Sequence, residues 1–451
     1  MSENDLSPNR LPHNSFYPEM TDVTAAEPDV RWSMPPAPTG PRLLRVEGAD
    51  PSLACHLQRH GAIPFRGQAH ELIAVIAAAG LTGRGGAAFP TGRKLRAVAA
   101  GSRPVVIANG AEGEPAALKD KTVLAAVPHL VLDGLQLAAE AVGSTEVYLY
   151  HHRQPALVAI LQQALTERAS HGIDKVAVQV VTAPSRFLAG EESALVSRIQ
   201  GGAALPRRRP PGVYESGVAG RPTLVQNVET LAQLALIARY GADWFRQIGS
   251  AAEPGSMLTT IHQAGYQPYV VEAPLGAPLP ALFHDLAGQS RVLLVGGYHG
   301  AWITTHDAMN LRLFNADMRG HGAALGAGVL AALPLDRCGL AEAARVMTYL
   351  ALESAGQCGP CLNGLPRIAA ALERLATPAP SPGLVQDILR WSGLVEGRGA
   401  CHHPDGSTQF VRSTLLVFQD ELQLHAHGRC SARSNEPFLP VPDELIDLEW
   451  T

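Results

Sequence analysis

The sequence has no apolar core near its start. Met1 to Pro41 is polar and carries several prolines, so it is expected to be a disordered arm and not a signal peptide. There is no surplus of positive charge. Against 36 Lys and Arg stand 41 Asp and Glu, a net charge of −5, which argues against a broad nucleic-acid footprint. No apolar run is clean enough to cross a bilayer: the most apolar helical stretch, Val123 to Val142, contains Pro128, His129, Asp133 and Glu140, so no direct membrane insertion is expected. Cysteine is scarce. Six in 451 residues do not make a disulfide framework, and the expected compartment is a reducing cytoplasm. Cys55 and Cys338 read as solitary buried or partly buried thiols. What remains is 46% hydrophobic and 17% charged, enough for sizeable cores, and the length suggests two to four domains.

Glycine is concentrated in one stretch, Gly83-Arg84-Gly85-Gly86-Ala87-Ala88-Phe89-Pro90-Thr91-Gly92-Arg93-Lys94. Glycine removes the Cβ and permits positive φ, so successive N–H groups can point at one anion. Lys94 adds a point charge suited to phosphate. Glycine content alone is equally compatible with a flexible surface loop. His70 to Gly80 has helical periodicity before this loop, and Gly92 to Ala99 reads as a short helix after it. Pro104 to Ala108 is a compact apolar run expected as a buried strand. It delivers Asn109 and the acidic loop Glu112-Gly113-Glu114 at its carboxyl end, where open α/β sheets bind ligands. Leu118 to Val142 is helical with an interruption at Pro128. Strands at Glu146 to Tyr150 and Val176 to Val181 flank a helix over Pro155 to Ser170, which argues for an α/β domain with a largely parallel sheet.

Gly190-Glu191-Glu192 opens a helix expected to reach Ile199. Val225 to Tyr240 is expected as another, starting with Gln226-Asn227. Acids in a first turn are good capping, and Asn227 is a good N-cap; the same positions also suit anion binding. Arg207-Arg208-Arg209 reads as a solvated basic face. From Met257 the texture changes to short β-like runs around one brief helix, with a further apolar strand over Gly326 to Leu333. Four helices are then expected: Leu340 to Leu352, Cys358 to Leu375, Gly383 to Trp391 and Ser407 to His425, a small bundle. Cys358-Gly359-Pro360-Cys361 at a helix start, with Cys401 later, fits a redox dithiol, a zinc knuckle completed by His402 or His403, or a cluster. Cys430 follows a helix of about 20 residues, about 30 Å long at 1.5 Å per residue, and so lies at the opposite end from Cys401.

The glycine stretch resembles the flavin loop of the NADH-oxidising, FMN-bearing subunit of respiratory complex I and its relatives in bidirectional hydrogenases and formate dehydrogenases. Four further segments resemble that family in order: Asn109-Gly110-Ala111-Glu112-Gly113-Glu114-Pro115; Gly190-Glu191-Glu192-Ser193-Ala194-Leu195; Pro222-Thr223 with Asn227-Val228-Glu229-Thr230; and Glu353-Ser354-Ala355-Gly356-Gln357-Cys358-Gly359-Pro360-Cys361. The resemblance covers roughly residues 60–420. It implies an α/β fold with a Rossmann-like FMN-binding domain at 46–250, after an arm at 1–45. A small β-grasp (soluble-ligand-binding) domain follows at 255–333, a helical iron–sulfur domain (the four-helix bundle) at 335–430, and an extended tail at 431–451.

The resemblance implies FMN and a [4Fe–4S] cluster as cofactors and NAD(H) as substrate. Gly83, Arg84, Gly85, Gly86, Ala87, Phe89, Lys94, Asn109, Glu112, Gly190, Glu191, Glu192, Gln226 and Asn227 are the implied binding residues. Of these, Phe89, Glu112 and Glu192 would shape the nicotinamide pocket, with Glu112 and Glu192 in the catalytic role. Cys358, Cys361 and Cys401 match the second, third and fourth cluster positions. The first is Ala355, so a cluster here would take Ser354, His402 or His403 as substitute ligand, keep an open iron, or be lost. Ala111 stands where the family usually has Asp, Ala183-Pro184-Ser185 where it has Gly-Ala-Gly, and Gly212 and Ala97 where it has adenine-stacking aromatics. Tyr214 is the nearest substitute.

The activity implied is hydride transfer from NADH to FMN, then single electrons to the cluster and an electron-accepting protein. That partner would be a thioredoxin-like ferredoxin subunit, a ferredoxin or a membrane reductase. Two alternatives are an FMN and iron–sulfur protein that does not use NADH and exchanges electrons with a ferredoxin or flavoprotein, and a non-enzymatic docking scaffold.

Overall fold

Apolar runs of six residues or so, each handed to the next by helices, build a parallel sheet. The computed structural model describes residues 43–44, 50–65, 67, 69–207, 211–434, 436–442 and 450. Apart from Leu43 and Leu44, the arm expected over 1–45 lies outside them, as do Arg208 and Arg209. Helices α1 (Leu53–His60), α2 (Ala69–Ala79) and α3 (Thr91–Ala99) precede strand β1 (Val105–Gly110). Then come α4 (Lys119–Ala126), α5 (Pro128–Val142), β2 (Val147–His152), α6 (Pro155–Ser170), β3 (Val178–Ala183), α7 (Glu192–Ile199), β4 (Thr223–Asn227) and α8 (Val228–Phe245). The strand order is β3-β2-β1-β4 with every pair parallel.

Two local expectations are corrected here. Val225 does not begin a helix. Thr223–Asn227 is a strand in register with Val105 to Asn109, because pairing and burial beside β1 override the helical periodicity that follows. The helix starts at Val228, with Asn227 as its N-cap accepting from Glu229 N. Pro128 also does more than interrupt a helix: α4 and α5 meet at 96°. Among the described residues no single helix is long and apolar enough to cross a membrane.

A second sheet follows, made of β5 (Ser256–His262), β6 (Tyr269–Pro274), β7 (Ser290–Val295), β8 (Ala301–Thr304) and β9 (Val329–Pro334), in the order β6-β5-β9-β7-β8. β5 and β9 are parallel and the other pairs antiparallel. Short helices α9 (Leu286–Gln289), α10 (Thr305–Ala308) and α11 (Asn315–Gly320) fill its connections.

The last region contains α12 (Gly339–Leu352), α13 (Leu365–Leu375), α14 (Leu384–Val395), α15 (His403–Val417) and α16 (Gln419–Ala426). It has five helices where the sequence pattern predicts four, because the final one breaks at Phe418. That ring turns inward: a Cβ on Gly339 would lie 1.9 Å from it, and it packs edge-on to Trp302 at 5.3 Å. The helix expected from Cys358 begins as a π-type turn over Pro360–Gly364, where Pro366 cannot donate its backbone bond. The tail, expected to be extended, runs back along α12 over 436–442. Phe438 N and Leu439 N donate to the Glu342 carboxylate at 3.0 and 3.1 Å.

Helix α5 and the first three turns of α8 cross buried under the first sheet's core, and the polar groups they carry inward, such as Asp133 and Glu229, are paired. The approach of the two helices depends on Gly134, where a Cβ would sit 2.0 Å from Leu231 O. Helix propensity alone would favour alanine there by about 1 kcal/mol. The clash with fixed backbone outweighs it, and Gly134→Ala is expected to cost about 2–3 kcal/mol net, read from urea unfolding midpoints. An unchanged or raised midpoint would show that the crossing yields.

Candidate functional site

The first sheet grows from β1 through β2 to β3, then returns to the other side of β1 for β4. Where strand order reverses, a crevice opens beyond the carboxyl ends of β1 and β4. Asn109 and Asn227 stand at those ends in direct register. The glycine stretch between α2 and α3 crosses this point. It is closed as a small loop, with Gly83 N donating to Phe89 O at 2.9 Å and Thr82 bridged to Pro90. Arg84 N donates to Thr230 Oγ1 in the first turn of α8 at 2.9 Å. A Cβ on Gly85 would lie 3.3 Å from Asn227 Cβ, so the loop lies on the helix start with almost nothing between. Gly86 has φ 113 and Ala88 φ 48, and Ala88 holds its left-handed backbone at a cost of roughly 1–2 kcal/mol. Gly85, Ala87 and Phe89 face solvent.

Arg84 is not at that surface. It is buried, and Nε donates to Ser256 O at 3.1 Å and Nη1 to Thr82 Oγ1 at 2.7 Å. It ties the loop to β5. Beneath the loop, Lys119 Nζ meets Asp120 at 2.7 Å and Glu229 at 3.1 Å, all three buried. Burial alone would lower the Lys119 pKa, but the two carboxylates more than offset it and hold it above the ordinary lysine value. Asn227 Nδ2 donates to Asp120 at 2.7 Å.

Lys94 Nζ reaches the crevice from α3, donating to Glu192 Oε1 at 2.5 Å and Val225 O at 2.8 Å. Glu191 caps α7, accepting from Ser193 N and Ala194 N. Asn109 Nδ2 donates to Gly190 O at 2.9 Å, locking the β1 loop to the α7 start. Gln226, buried on β4, leaves its Nε2 without a partner. An unmet buried donor beside a bare backbone loop is costly unless something accepts from it.

The two acids of the β1 loop differ. Glu112 turns to the start of α4 and accepts from Asp120 N at 3.0 Å, with burial raising its pKa. Glu114 turns to the second sheet and accepts from Tyr298 N at 3.1 and 3.2 Å. Burial raises its pKa to about 8. Tyr214, 40% exposed, lays its ring over Gly212, where a Cβ would lie 2.6 Å from Cε1.

Cys358, Cys361 and Cys401 come together from α12's far side, the π turn and the start of α15. Burial pushes the Cys361 thiol up to about 12, while the Ser354 hydroxyl, within hydrogen-bond reach of its sulfur, opposes the shift. Cys358 and Cys401 are both close enough to act on it. Of the three substitute ligands, His402 faces solvent beside Asp405. His403 is buried with both ring nitrogens engaged, Nε2 with Leu350 O at 2.8 Å and Nδ1 with His299 at 3.0 Å. Of the three side chains, that of Ser354 acts on the Cys361 thiol. The loop before α7 docks here, because Arg186 pairs with buried Glu353 at 3.0 Å and Phe187 N donates to the same carboxylate at 2.8 Å. Glu191 is near enough to influence Cys401.

Residues 76–236 match the Nuo51 FMN-binding domain, and residues 341–425 match the NADH-ubiquinone oxidoreductase-F iron–sulfur binding region. The F subunit of NADH-quinone oxidoreductase from Streptomyces coelicolor is 30% identical over 382 residues, 80% of this chain and 84% of that one. The chain belongs to the family of the NADH-quinone oxidoreductase F subunit. The second such protein of Rhizobium meliloti is 28% identical over 378 residues, 80% of this chain and 89% of the relative. Among solved structures, an NAD+-reducing [NiFe]-hydrogenase in the H2-reduced state superposes with a TM-score of 0.71 at 27% identity, over 79% of this chain; the chain spans 63% of that one. The air-oxidised form gives 0.75 at 26%, over 88% of this chain and 67% of that one. Membership of this family accounts for the FMN-binding and iron–sulfur regions. The residues present fit both groups: exposed Gly85, the Lys94 cation and the unmet Gln226 donor suit a flavin phosphate and ring, and three thiols with Ser354 suit iron.

Sequence reasoning does not find the buried charges under the loop, the Arg186–Glu353 pair or a partner for Glu114. Little local marks them: Lys119 and Asp120 are adjacent, but Glu229 lies more than 100 residues from Lys119, as do Glu353 from Arg186 and Tyr298 from Glu114. Nor is Cys338 solitary, as its isolation in the sequence suggests. The structure corrects this, placing Cys338 Sγ 3.6 Å from His425 Nε2 and 3.9 Å from Glu421 Oε1. Glu421 and His425 are spaced four apart on one helix, with Cys430 shortly after, and that spacing is the available signal.

Glu114 gives a pH test. Below the ordinary carboxyl value of 4.5 both folded and unfolded chains hold its proton. Between there and about 8 the unfolded chain releases it while the folded chain keeps it. Stability therefore falls as pH rises, by at most about 1.4 kcal/mol per pH unit. Glu114→Gln keeps an acceptor for Tyr298 N and removes the titration. Urea midpoints at about pH 5 and about pH 8 should fall less in the variant; equal falls would remove Glu114 as the source.

Proposed function

We propose that the chain is the NADH-oxidising flavoprotein subunit of a larger electron-transfer assembly. FMN lies at the β1/β4 crevice and an iron–sulfur cluster on Cys358, Cys361 and Cys401. The observation that carries this is the exposed glycine loop laid on the α8 start at the strand reversal, beside the unmet Gln226 Nε2. Gly83, Gly85, Gly86 and Ala87 offer bare or nearly bare backbone to the flavin. Lys94, Asn109, Gln226 and Asn227 supply its polar contacts. Arg84 acts from below by holding the loop. Glu112, Gly190 and Glu191 position the neighbouring turns, and Phe89 and Glu192 border the side on which NADH would enter. Tyr214, seated over Gly212, supplies an aromatic face for adenine. Stacking of this kind is worth about 1–3 kcal/mol.

When bound, the flavin supplies two-electron acceptance from NADH and stepwise release, and the cluster carries single electrons. The chain positions them: the Arg186–Glu353 pair and Phe187 clamp the flavin-side loop against the cysteine turn. Ser354 is the fourth ligand in this reading. The domain division is an FMN-binding domain at 46–250, a β-grasp domain at 255–333 and a helical iron–sulfur domain at 335–430. The mixed second sheet, with its central parallel pair, supports the middle assignment. The compartment is the cytoplasm, and the acceptor is a protein carrying its own redox centre.

A second reading keeps FMN and the cluster but not NADH, and it rests on Ala97, Ala111 and Gly212. Stopped-flow mixing separates the two: bound FMN should bleach on mixing with NADH, and no bleaching at about millimolar NADH would favour the second. Lys94→Ala should weaken FMN binding by about ten- to a hundredfold, the worth of one charge-assisted contact, measured by flavin fluorescence. Tyr214→Ala should raise the KM for NADH several-fold with kcat little changed.

A further inference from the structure

Away from the crevice and from the Cys358 turn, a different set of side chains converges at the foot of the helical region. Cys338 is the N-cap of α12. Glu421 and His425 stand one turn apart on α16, and Cys430 follows its end. One ligand-type atom from each lies within 4.8 Å of all the others, and the first three residues are buried. Three of the edges are 3.6 Å from Cys338 Sγ to His425 Nε2, 3.9 Å from Cys338 Sγ to Glu421 Oε1, and 3.1 Å from His425 Nε2 to Glu421 Oε1. A tetrahedral ion with sulfur at about 2.3 Å and nitrogen or oxygen at about 2.0–2.1 Å demands edges of about 3.3–3.8 Å. These three edges match to within a few tenths of an ångström, and the edges to Cys430, on the exposed segment after α16, lie within 4.8 Å.

The surroundings fit as well. His425 Nδ1 donates to Leu375 O at 2.9 Å, which leaves Nε2 as the lone-pair nitrogen toward the cluster. A backbone carbonyl on the far nitrogen is the common arrangement behind a ligating histidine. Glu421 is oriented by Ser431 N at 2.9 Å. The two sulfurs receive backbone N–H groups, Ala432 N to Cys430 at 3.4 Å and Ala341 N to Cys338. Burial raises both thiols, Cys338 to about 12, and these N–H groups with the start of a 14-residue helix at Cys338 work against it; a bound cation would displace the thiol protons. The exposed Cys430 leaves a path from solvent.

We propose that Cys338, Glu421, His425 and Cys430 form a structural site for a divalent zinc-type cation, distinct from the iron–sulfur cysteines, which clasps α16 and the start of the tail to the start of α12. Two thiolates, one imidazole and one carboxylate in a tetrahedron suit Zn2+ above harder ions.

The test uses the full chain purified anaerobically with its flavin and iron, incubated with zinc chloride and desalted. Metal analysis should give about one zinc per chain beyond the iron. His425→Ala and Cys338→Ser should each lower bound zinc at least tenfold. Cys361→Ser should lower iron and keep zinc, so failure of the iron–sulfur reading and failure of this one are separable. Should the first two variants not fold, zinc-edge X-ray absorption of the unaltered chain decides. Two sulfur and two nitrogen or oxygen neighbours support the site; an all-nitrogen-and-oxygen shell overturns it. Bound zinc below about a tenth per chain, zinc retained in both folded variants, or a Cys338–Cys430 disulfide found by mass spectrometry after anaerobic thiol blocking would also overturn it.

Discussion

A knot of buried charge underlies the glycine loop, and the site depends on it. Arg84 and Lys119 supply two cations, and Asp120 and Glu229 two carboxylates; all four are buried. Removing such groups from water costs several kcal/mol each, and the cost is offset only when every partner is in place. Here the partners come from separate parts of the chain. Arg84 belongs to the loop, Lys119 and Asp120 to the start of α4, and Glu229 to the first turn of α8. Backbone at Ser256 and Leu258 in β5 closes the knot. Arg84 is held by oxygens of Thr82, Pro254 and Ser256, and Lys119 by Asp120 and Glu229, so the group fixes where the loop lies against α4, α8 and β5. A loop this poor in side chains has little of its own with which to choose a conformation.

The same logic joins the crevice to the cysteines. Gly113 lies so close to the turn before α7 that a Cβ would meet Phe187 O at 2.5 Å. Arg186 and Phe187 in that turn are fixed by Glu353, and Glu353 immediately precedes Ser354. The Phe187 ring packs on His299 and His403 at 4.7 and 5.7 Å. The acidic loop of β1, the approach to α7 and the cysteine turn are therefore consecutive neighbours without a flexible link between them. An electron path needs such fixed distances more than it needs any one side chain.

The parts legible in the sequence are those whose signal is local. Glycines at 83, 85 and 86, an Asn before a helix at 227 and apolar runs at 105 and 147 each announce themselves within a few residues. β4 is hidden because its five residues abut eighteen of strong helical periodicity, and only the pairing with β1 shows where one ends. Glu112 and Glu114 look alike in the sequence, yet one caps α4 and the other reaches Tyr298. Glu112 finds its partner at the start of the next helix, whereas the partner of Glu114 lies far along the chain at the second sheet. Cys338 looks solitary for the same reason, its neighbours being more than 80 residues away.

On the proposed reading, two departures from the family pattern are answered from close by. Gly212 lacks a side chain, and the Tyr214 ring fills the space beside it. Ala355 lacks a sulfur, and the hydroxyl of Ser354 stands by Cys361. In both, the substitute sits one or two residues from the loss. An extended or turning backbone lets a neighbour swing into a vacated position without moving the elements on either side. A replacement from another element would have to displace the buried Lys119 pairs or the Arg186–Glu353 clamp, and separating buried partners is costly. Fixed elements at those two points therefore favour an answer from the residues immediately beside each loss.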